Sequence, residues 1–555
     1  LGYGPNFQRG VLAILRSHYG QVIVLGHLSR SFYWNSGVFQ GDPLAALLFI
    51  LCVETLADAL RNDPEIQGIS LSTSTTLPAP SADPSTVSRR VKILLTADDT
   101  TLLPASVADL NLMLYKVHLF NRASNGRLNI NKTFAISLLL DPHFQNSFPD
   151  FNWATPDQRT VPFLGNLLRD GFDSIATLAS CMSRADASLS FWRSQLVSKL
   201  GRVRLVYATV LSIFDYYIPV NGLPSDLCAL LQKKIRNFLW KGNCCLISHA
   251  ECCRPREHGG IGLPDIATHS AAIEVMTVIR LLREPNSMVS QSFLSEWQRE
   301  NPVPSVARLK RSWDLFMKAG GGPLPLHKVT RKQIYQLLLA HKFKMDWSAS
   351  PSYYSRWNQT YQWDSLWTRL NKAKLDYKLW CFNWQLFHHA LATSSLFADR
   401  YKKGDGACSF CGACETLHHL FLECSHSVFI NTWAINFWNL HAGGDLHPHE
   451  DQWLLKTYKT KSPELFVAFA SIVQYWVWKE RCRFTFDQIP PSLTEGKIWI
   501  LTELKSYIRA AWARVQSSSK KKRPEKTLIF RRHWLLGDTL GKIVENHIEF
   551  SPTVL

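Results

Sequence analysis

The first chemical motif is a pair of adjacent carboxylates, Asp98 and Asp99, at the end of the apolar run 91–95. Residues 100–103 resume a strand-like pattern, so the pair is predicted to lie at the turn of a β-hairpin. Carboxylates are the hard oxygen ligands that Mg²⁺ prefers, and nucleotidyl transfer uses two such ions about 3.5–4 Å apart. Most Asp-Asp pairs are ordinary solvated turn residues. The apolar strands around this pair, and the glycine-bracketed loop upstream, favour a catalytic pair.

The second motif is a Cys-x2-Cys-x7-His-x4-Cys cluster formed by Cys408, Cys411, His419 and Cys424. Three thiolates and one imidazole suit a closed, tetrahedral structural zinc site. The spacing alone leaves three neighbouring residues open as alternative ligands, namely Cys414, His418 and His426. It also leaves open a chance cluster of buried thiols. If zinc binds, the Leu-Phe step at 420–421 is expected to supply the small core of the site.

The elements that must position these motifs follow from hydrophobic periodicity and cap residues. A helix is expected from Phe7 to Tyr19. A second helix is expected to have Asp42 as its N-cap and Pro43 as its first residue, and to end near Arg61. Further expectations are strands at 22–25, 32–34 and 161–165, a surface insert at 70–88, helices at 105–123 and 174–240, and a mostly helical pattern at 266–400 and after 426.

Composition and charge set the class of protein. With 555 residues the chain is too long for one ordinary core, and about three or four domains are expected. Its 62 Lys and Arg exceed its 44 Asp and Glu, and the resulting net charge of +18 favours a polyanionic partner. Thirteen cysteines without a secretory signal predict reduced thiols in the nucleus and/or cytoplasm rather than secretion. No apolar stretch reaches the ~20 residues of a membrane span, so no membrane partner is expected.

Two other features have ordinary structural explanations. Four tryptophans recur at helical spacing and are expected to pack in a core, namely Trp363, Trp367, Trp380 and Trp384. The basic run 520–523 could be a nuclear-import signal, a phosphate-binding arm or only a soluble linker.

Several segments, taken in order and spacing, resemble the reverse transcriptase of non-LTR (LINE-type) retrotransposons. They are GVFQGDPL at 37–44, ADD at 97–99, LNINKT at 128–133 and FLG at 163–165. Farther along, FLW at 238–240 and GGIGLPD at 259–265 look like the post-palm region of these elements, and the Cys/His cluster looks like their zinc-binding segment. The resemblance extends from about residue 1 to about residue 485. Each motif is modest alone, whereas the ordered set is specific.

The resemblance implies an α+β fold. It comprises a partial reverse-transcriptase palm (antiparallel sheet plus helices), then mostly α-helical thumb, connector and C-terminal regions with a small zinc-binding module. The implied domains are partial fingers and palm at 1–170, thumb and post-palm segment at 171–265, helical connector at 266–370, zinc-binding segment at 371–430 and C-terminal helical region at 431–555. The implied activity is RNA-directed DNA polymerisation. Its cofactors would be two Mg²⁺ ions and structural Zn²⁺, and its partners an RNA template, a DNA primer and deoxynucleotides.

The same resemblance implies roles for individual residues of the palm. Asp98 and Asp99 correspond to two of three magnesium-binding carboxylates. Gln40 and Gly41 correspond to the loop that contacts the template or the incoming nucleotide. Lys132 corresponds to a lysine proposed to protonate the leaving pyrophosphate as a general acid, and an ordinary solvated lysine is the alternative.

Two more assignments lie outside the palm. Arg202 belongs to a basic helix of the implied thumb, where it is expected to contact backbone phosphates, with a solvated helix face as the alternative. In the zinc-binding segment, the family pattern His-Leu-Phe-x-x-Cys favours His419 over the neighbouring histidines.

The chain departs from the family pattern in two ways. No Asp or Glu occurs between Leu1 and Gly41, so the third carboxylate is expected to fall before Leu1 and the N-terminus is expected to be truncated. Asp42 is better explained as a helix cap, and Thr96 stands where the family has Tyr or Phe near the primer end. The chain is therefore predicted to be a catalytically crippled RNA-directed DNA polymerase fragment. A non-catalytic nucleic-acid-binding protein derived from such an element is the alternative, and a nonfunctional reading frame of a decayed element is a third possibility.

Overall fold

The structure is a computed structural model that describes residues 4–15, 19–33, 44–70, 90–96, 99–136, 142–154, 161–168, 174–242, 245–345, 357 and 361–554. The chain divides into two compact units. The N-terminal unit comprises Leu1–Thr177 with Arg280–Ala307, and the C-terminal unit comprises Leu178–Ile279 with Arg308–Leu555. The described residues are mostly helical with small sheets, in agreement with an α+β fold.

The first part of the N-terminal unit contains short helices and two-stranded sheets. Their bounds are α1 Pro5–Leu15, β1 Tyr19–Gly20, β2 Ile23–Val24, β3 His27–Leu28, β4 Phe32–Tyr33, α2 Ala45–Arg61, β5 Ile69–Ser70, β6 Arg90–Val91, β7 Ile93–Thr96, β8 Asp99–Leu102, α3 Val107–Ser124, β9 Phe134–Ile136, α4 Pro142–Ser147, β10 Asn152–Ala154, β11 Val161–Phe163 and β12 Asn166–Leu168. All pairs are antiparallel except β9 with β10. Every sheet among the described residues is two-stranded, so they contain no continuous palm sheet.

A small core holds the β7–β8 hairpin on two helices of the N-terminal unit. Ile93 of β7 packs with Leu56 and Leu60 of α2 and with Met113 of α3. Fully burying an aliphatic side chain of this size contributes about 1.5–3 kcal/mol. The hairpin is therefore fixed to its helices through one face.

A buried carboxylate ties the loop before this hairpin to the start of α3. Asp109 accepts hydrogen bonds from the backbone N–H groups of Gln67 at 2.9 Å, Gly68 at 2.8 Å and Ala105 at 3.0 Å. Burial alone would raise the pKa of Asp109, but these bonds to its ionised form lower it. The side chain of Ser106 caps α3 by accepting from the Asp109 N–H at 3.1 Å.

From residue 174 the described chain is almost entirely helical until a final hairpin. The bounds are α5 Ser174–Arg193, α6 Lys199–Leu205, α7 Ser212–Asp215, α8 Ile218–Asn221, α9 Ser225–Trp240, α10 His249–Cys253, α11 Ile266–Arg283, α12 Met288–Trp297, α13 Pro304–Phe316, α14 Arg331–Phe343, α15 Trp363–Lys372, α16 Tyr377–Phe387, α17 Ser394–Tyr401, α18 Ser425–Ala442, α19 Pro463–Asp487, α20 Leu493–Gln516, α21 Arg523–Trp534, β13 Gly541–Val544 and β14 His547–Phe550.

Helix α19 is the centre of the C-terminal unit. Its residues 465–474 are at most 1% exposed, because this stretch is apolar around the whole helix and not on one stripe. Helices α15, α16, α18 and α20 surround it. The predicted core role of four tryptophans is confirmed, since each is at most 5% exposed: Trp363, Trp367, Trp380 and Trp384.

The GGIGLPD segment at 259–265 has a structural role before α11. Asp265 is buried and accepts from the Thr268 backbone N–H at 3.0 Å, from the Lys342 ammonium at 2.7 Å and from the His249 ring at 3.1 Å. Burial opposes ionisation of Asp265, but these partners lower its pKa well below the usual range. Gly260 is required because a Cβ there would lie 1.7 Å from the Arg254 carbonyl oxygen.

Most predicted elements appear with shifted ends. The first helix ends at Leu15, and Tyr19 lies in β1 instead of the helix. Helix α2 ends at Arg61 as expected and begins at Ala45, whereas the predicted cap Asp42 lies outside the described residues. The C-terminal region also contains the unpredicted β13–β14 hairpin. No described helix combines the length and apolarity needed to cross a membrane.

Candidate metal centre and acidic hairpin

Four metal-ligating side chains come together in the C-terminal unit. The sulfurs of Cys408, Cys411 and Cys424 and a ring nitrogen of His419 all lie within 4.8 Å of one another. The sulfurs of Cys408 and Cys424 are 3.8 Å apart, about the separation of two thiolates each ~2.3 Å from a tetrahedral zinc ion. Nε2 of His419 lies 3.2 Å from the Cys411 sulfur. This Cys₃His cluster could bind a metal ion such as zinc.

A tight turn shapes the first half of the cluster. The Cys408 N–H donates to the Ala413 carbonyl at 2.6 Å, and the Gly412 N–H donates to the Cys408 carbonyl at 2.9 Å. Ala407 and Cys414 form an antiparallel bridge across the base of the loop. These bonds close the loop around the two ligands that it contributes.

A single helical turn shapes the second half. It runs from His419 to Glu423 and ends at Cys424, whose N–H donates to the His419 carbonyl at 2.7 Å. Leu420 and Phe421 in this turn are fully buried, as predicted for the small core next to the ligands. The turn thus holds His419 and Cys424 through both its hydrogen bonds and its packing.

The alternative ligands have other environments. The His418 side chain is 43% exposed, and its Nδ1 lies 3.0 Å from a Glu423 carboxylate oxygen. Nε2 of His426 lies 3.1 Å from a Glu480 carboxylate oxygen, and Cys414 is exposed. Among the residues that the structure describes, the metal-ligating group is the set that contains His419.

Burial affects the charge state of the cluster. It raises the pKa of the Cys408 and Cys424 thiols, because a thiolate is disfavoured where water is excluded. Since a metal ion binds thiolates, binding has to release these protons. Metal affinity at this cluster is therefore expected to increase with pH.

A buried ion pair that the sequence analysis did not find supports the cluster. Glu415, between the two halves of the motif, is fully buried, and Arg481 of α19 donates two hydrogen bonds of 2.7 Å to its carboxylate oxygens. The Ser394 N–H donates to the same carboxylate at 2.6 Å. Burial alone would raise the pKa of Glu415, but these partners lower it. The pair joins the loop of the Cys₃His cluster to α19.

The second candidate site is the β7–β8 hairpin. Its register pairs Ile93 with Leu102 and Thr96 with Asp99. This agrees with the hairpin predicted for the acid pair. Because directly opposed residues share a face, Asp99 and Thr96 lie on the face opposite the buried Ile93, and both are exposed.

Of the other predicted palm residues, Lys132 belongs to the part of the chain that the structure describes. Lys132 is exposed at the end of a short helical turn, Ile130–Lys132, and no ion pair or hydrogen bond among the described residues joins it to Asp99. Asp98, Gln40 and Gly41 lie outside the described residues. Asp99 is therefore the predicted magnesium ligand that the described residues include, and it lies on the exposed face of the hairpin.

Arg202 has an environment that its prediction did not anticipate. Its side chain is 1% exposed, and its guanidinium donates to the carbonyls of Val197 at 3.1 Å and Phe238 at 2.5 Å. A residue in this position braces the backbone of two segments and does not present its charge to a template phosphate. Arg204 is exposed instead, and its guanidinium lies 4.9 Å from the Tyr377 ring centre. Arg202 and Arg204 are two positions apart, so their side chains lie on opposite faces of α6. Composition alone does not tell which of the two faces solvent.

Comparison with known proteins gives two distant similarities. The chain is 23% identical over 289 residues to the transposon TX1 uncharacterized 149 kDa protein of Xenopus laevis. The aligned region makes up 50% of this chain and 20% of that protein. It is also 27% identical over 117 residues to a putative ribonuclease H protein of Arabidopsis thaliana. That aligned region makes up 20% of this chain and 19% of the Arabidopsis protein. The chain thus spans about a fifth of the length of the curated relatives it matches. No protein-family profile matches it. These similarities suggest a protein derived from a retrotransposon.

Proposed function

We propose that this chain is a reverse-transcriptase-derived part of a LINE-type retrotransposon protein. In this proposal it binds an RNA template paired with a DNA primer, and its own RNA-directed DNA polymerase activity is absent or crippled. The Cys₃His cluster holds a structural zinc ion in the C-terminal unit. The non-catalytic alternative, a nucleic-acid-binding protein derived from such an element, shares the binding and the zinc ion and differs only at the acidic hairpin.

The observation that carries the proposal is the acidic hairpin. Asp99, which follows Asp98 in the sequence, begins β8 opposite Thr96, and the other face of the hairpin is packed on α2 and α3 through Ile93. A short hairpin anchored on helices with acids at its open end is an arrangement in which a polymerase palm can hold metal ions. The similarity to a transposon protein over half of this chain supports the same origin.

The proposal of weak activity rests on the carboxylates. Two-metal catalysis needs several carboxylates around one point, and the sequence from Leu1 to Gly41 contributes none. Among the described residues, Asp99 is the one predicted magnesium ligand at the hairpin. Magnesium-dependent polymerisation by this chain is therefore proposed to be absent or weak.

A primer-extension experiment tests the polymerase part. The purified chain is incubated with a poly(rA) template, an oligo(dT) primer and dTTP in the presence of Mg²⁺, and binding of the same hybrid is followed by fluorescence anisotropy. We expect binding without detectable extension. Extension that Asp99→Asn abolishes, and that the exposed control Asp314→Asn leaves intact, would show an active polymerase. Absence of hybrid binding would contradict both the crippled and the non-catalytic version.

Metal analysis tests the zinc part. The wild-type chain and Cys414→Ser are expected to contain about one zinc ion each, because Cys414 lies outside the cluster. Cys408→Ser is expected to lose most of the zinc, since three ligands bind it far more weakly than four, and to make the loop 405–424 sensitive to protease. Equal zinc contents in the two serine variants would refute the assignment.

A further inference from the structure

The most concentrated charge in the chain lies near its C-terminal end. Between Lys505 and Arg532 the sequence has ten Lys and Arg and a single acid, Glu525. This segment therefore carries a net charge of +9, half of the +18 of the whole chain. Such a density of one sign creates a local potential that attracts polyanions, independently of the fold around it.

The structure folds this segment into a helical hairpin, which we call the basic hairpin (residues 505–532). Helices α20 and α21 pack together, with the rings of Trp512 and Phe530 5.1 Å apart. Trp512 and Phe530 are buried, whereas Leu528 and Ile529 of α21 are exposed. Eight of the ten basic side chains are exposed: Arg509, Arg514, Lys520, Lys521, Lys522, Lys526, Arg531 and Arg532.

The run 520–523 belongs to the ordered turn between these helices and is not a free linker. Arg523 donates to the Ser518 carbonyl at 3.3 Å, and the Lys526 ammonium donates to the Ser518 hydroxyl at 2.8 Å. Lys522 immediately precedes α21. The turn thus fixes the direction in which the basic run faces solvent.

A groove of about 480 Å³ opens on this turn and on α21. It is lined by Lys520, Arg523, Pro524, Thr527, Leu528 and Arg531. The lining contains three cations and one hydroxyl and no carboxylate. Arg531 also forms an ion pair with Asp538, which lies outside the lining. Because Lys520 and Arg523 line the groove as well, it remains positively charged.

Two features of the groove fit a phosphate ester. Arg523, Thr527 and Arg531 are spaced by four residues, so they lie on one face of α21, each about 6 Å from the next along the axis. The Nε–H of Arg523 is buried and has no hydrogen-bond partner. A buried donor without a partner is costly, and an anion in the groove would supply the missing acceptor.

We propose that the basic hairpin is a second nucleic-acid contact, which binds the phosphodiester backbone and places one phosphate in the groove beside Arg523. This inference rests on the proposed nucleic-acid-binding function and adds a site to it. Contacts to phosphates position a duplex and do not select its sequence. Binding at the basic hairpin is therefore independent of sequence and strongly dependent on salt.

The test compares two variants of the full chain with the same change in charge. Lys520→Gln/Arg523→Gln removes two positive charges from the groove lining. Lys328→Gln/Lys332→Gln removes two exposed lysines that are distant from the groove in the sequence. Binding of a labelled 20-base-pair DNA duplex of arbitrary sequence is measured by anisotropy between 50 and 300 mM KCl, and circular dichroism checks the fold. The groove variant is expected to bind at least tenfold more weakly at 100 mM salt, with a log–log salt slope smaller by about 2. The control is expected to stay within twofold of the wild type.

Three results would overturn the inference. Equal affinities of the two variants would show that the groove makes no special contact, while leaving the proposed function intact. Wild-type chain that binds neither duplex nor hybrid would end both proposals. If the groove variant loses binding to phosphatidylserine vesicles and keeps its duplex affinity, the groove takes lipid headgroups and not nucleic acid.

Discussion

Glu415→Gln is expected to destabilise the C-terminal unit by about 3–5 kcal/mol. The carboxylate of Glu415 is fully buried and accepts two hydrogen bonds from Arg481, whose side chain is 5% exposed. An amide keeps the shape of the side chain but removes its charge. It leaves the guanidinium buried without a counter-ion, and the cost of that desolvated charge dominates the loss.

The same structure supplies a matched control on the same loop. The carboxylate of Glu423 also has a basic partner, since it lies 3.0 Å from Nδ1 of His418, but the Glu423 side chain is 58% exposed. Exposed pairs contribute about 0–1 kcal/mol, so Glu423→Gln is expected to change stability by less than that. The difference between these two substitutions isolates the effect of burial from the effect of losing a carboxylate.

Urea unfolding followed by tryptophan fluorescence measures both variants, because α19 and its neighbours contain many of the tryptophans. A competition titration with a zinc chelator measures the metal affinity in parallel. Glu415→Gln is expected to lower both the unfolding midpoint and the zinc affinity, since the Glu415 backbone also holds the loop through the Gly406 carbonyl at 2.8 Å. A loss of stability below 1 kcal/mol, equal to that of Glu423→Gln, would refute the reasoning.

The pH dependence and a double variant extend this prediction. Because the partners of Glu415 lower its pKa, the pair stabilises the protein above pH 4.5 and the contribution is lost as the pH falls through the folded pKa. Replacing both members by methionine, Glu415→Met/Arg481→Met, is expected to cost much less than Glu415→Gln, because no charge stays buried. A double variant as unstable as Glu415→Gln would contradict that explanation.

Three further predictions concern residues outside the loop of the Cys₃His cluster. Lys456 is fully buried, and burial lowers its pKa well below the usual value. Between the pKa of the folded chain and the higher pKa of the unfolded chain, stability should therefore rise with pH by up to about 1.4 kcal/mol per pH unit more than in Lys456→Met. Urea unfolding at pH 7, 8 and 9 measures this rise, and parallel curves for the two proteins would contradict it. Gly260→Ala places a methyl group 1.7 Å from a carbonyl oxygen and should lower the free energy of unfolding by about 1–3 kcal/mol. Gly262 has a positive φ of 69° but open space around a new Cβ, so Gly262→Ala should lower it by about 1 kcal/mol. Thermal unfolding measures both variants. Asp109→Ala leaves three backbone N–H groups without their acceptor and should destabilise the N-terminal unit by about 3 kcal/mol; limited proteolysis between residues 62 and 106 would report the loss, and unchanged cleavage would contradict it.

Local patterns of the sequence determined much of this protein. The apolar runs on either side of Asp98 and Asp99 were sufficient for the hairpin, and the spacing of Cys408 and Cys411 was sufficient for the turn that brings their sulfurs close together. Both structures involve few residues close in the chain. The helices after residue 174 followed from their periodicity. The final hairpin had a readable signal as well, since Glu545-Asn546 joins two short alternating runs and both residues adopt positive φ.

Only the tertiary structure decided which of the candidate side chains share one environment. His418 and His419 are equivalent by spacing, and they separate because one helical step turns a side chain by about 100°, so that one pairs with Glu423 in solvent and the other meets the three sulfurs. The Glu415–Arg481 pair joins residues 66 positions apart, and Arg202 is buried by segments on both sides of it. The physical reason is that burial and charge pairing depend on neighbours that are distant in the chain, and a local pattern contains no information about them.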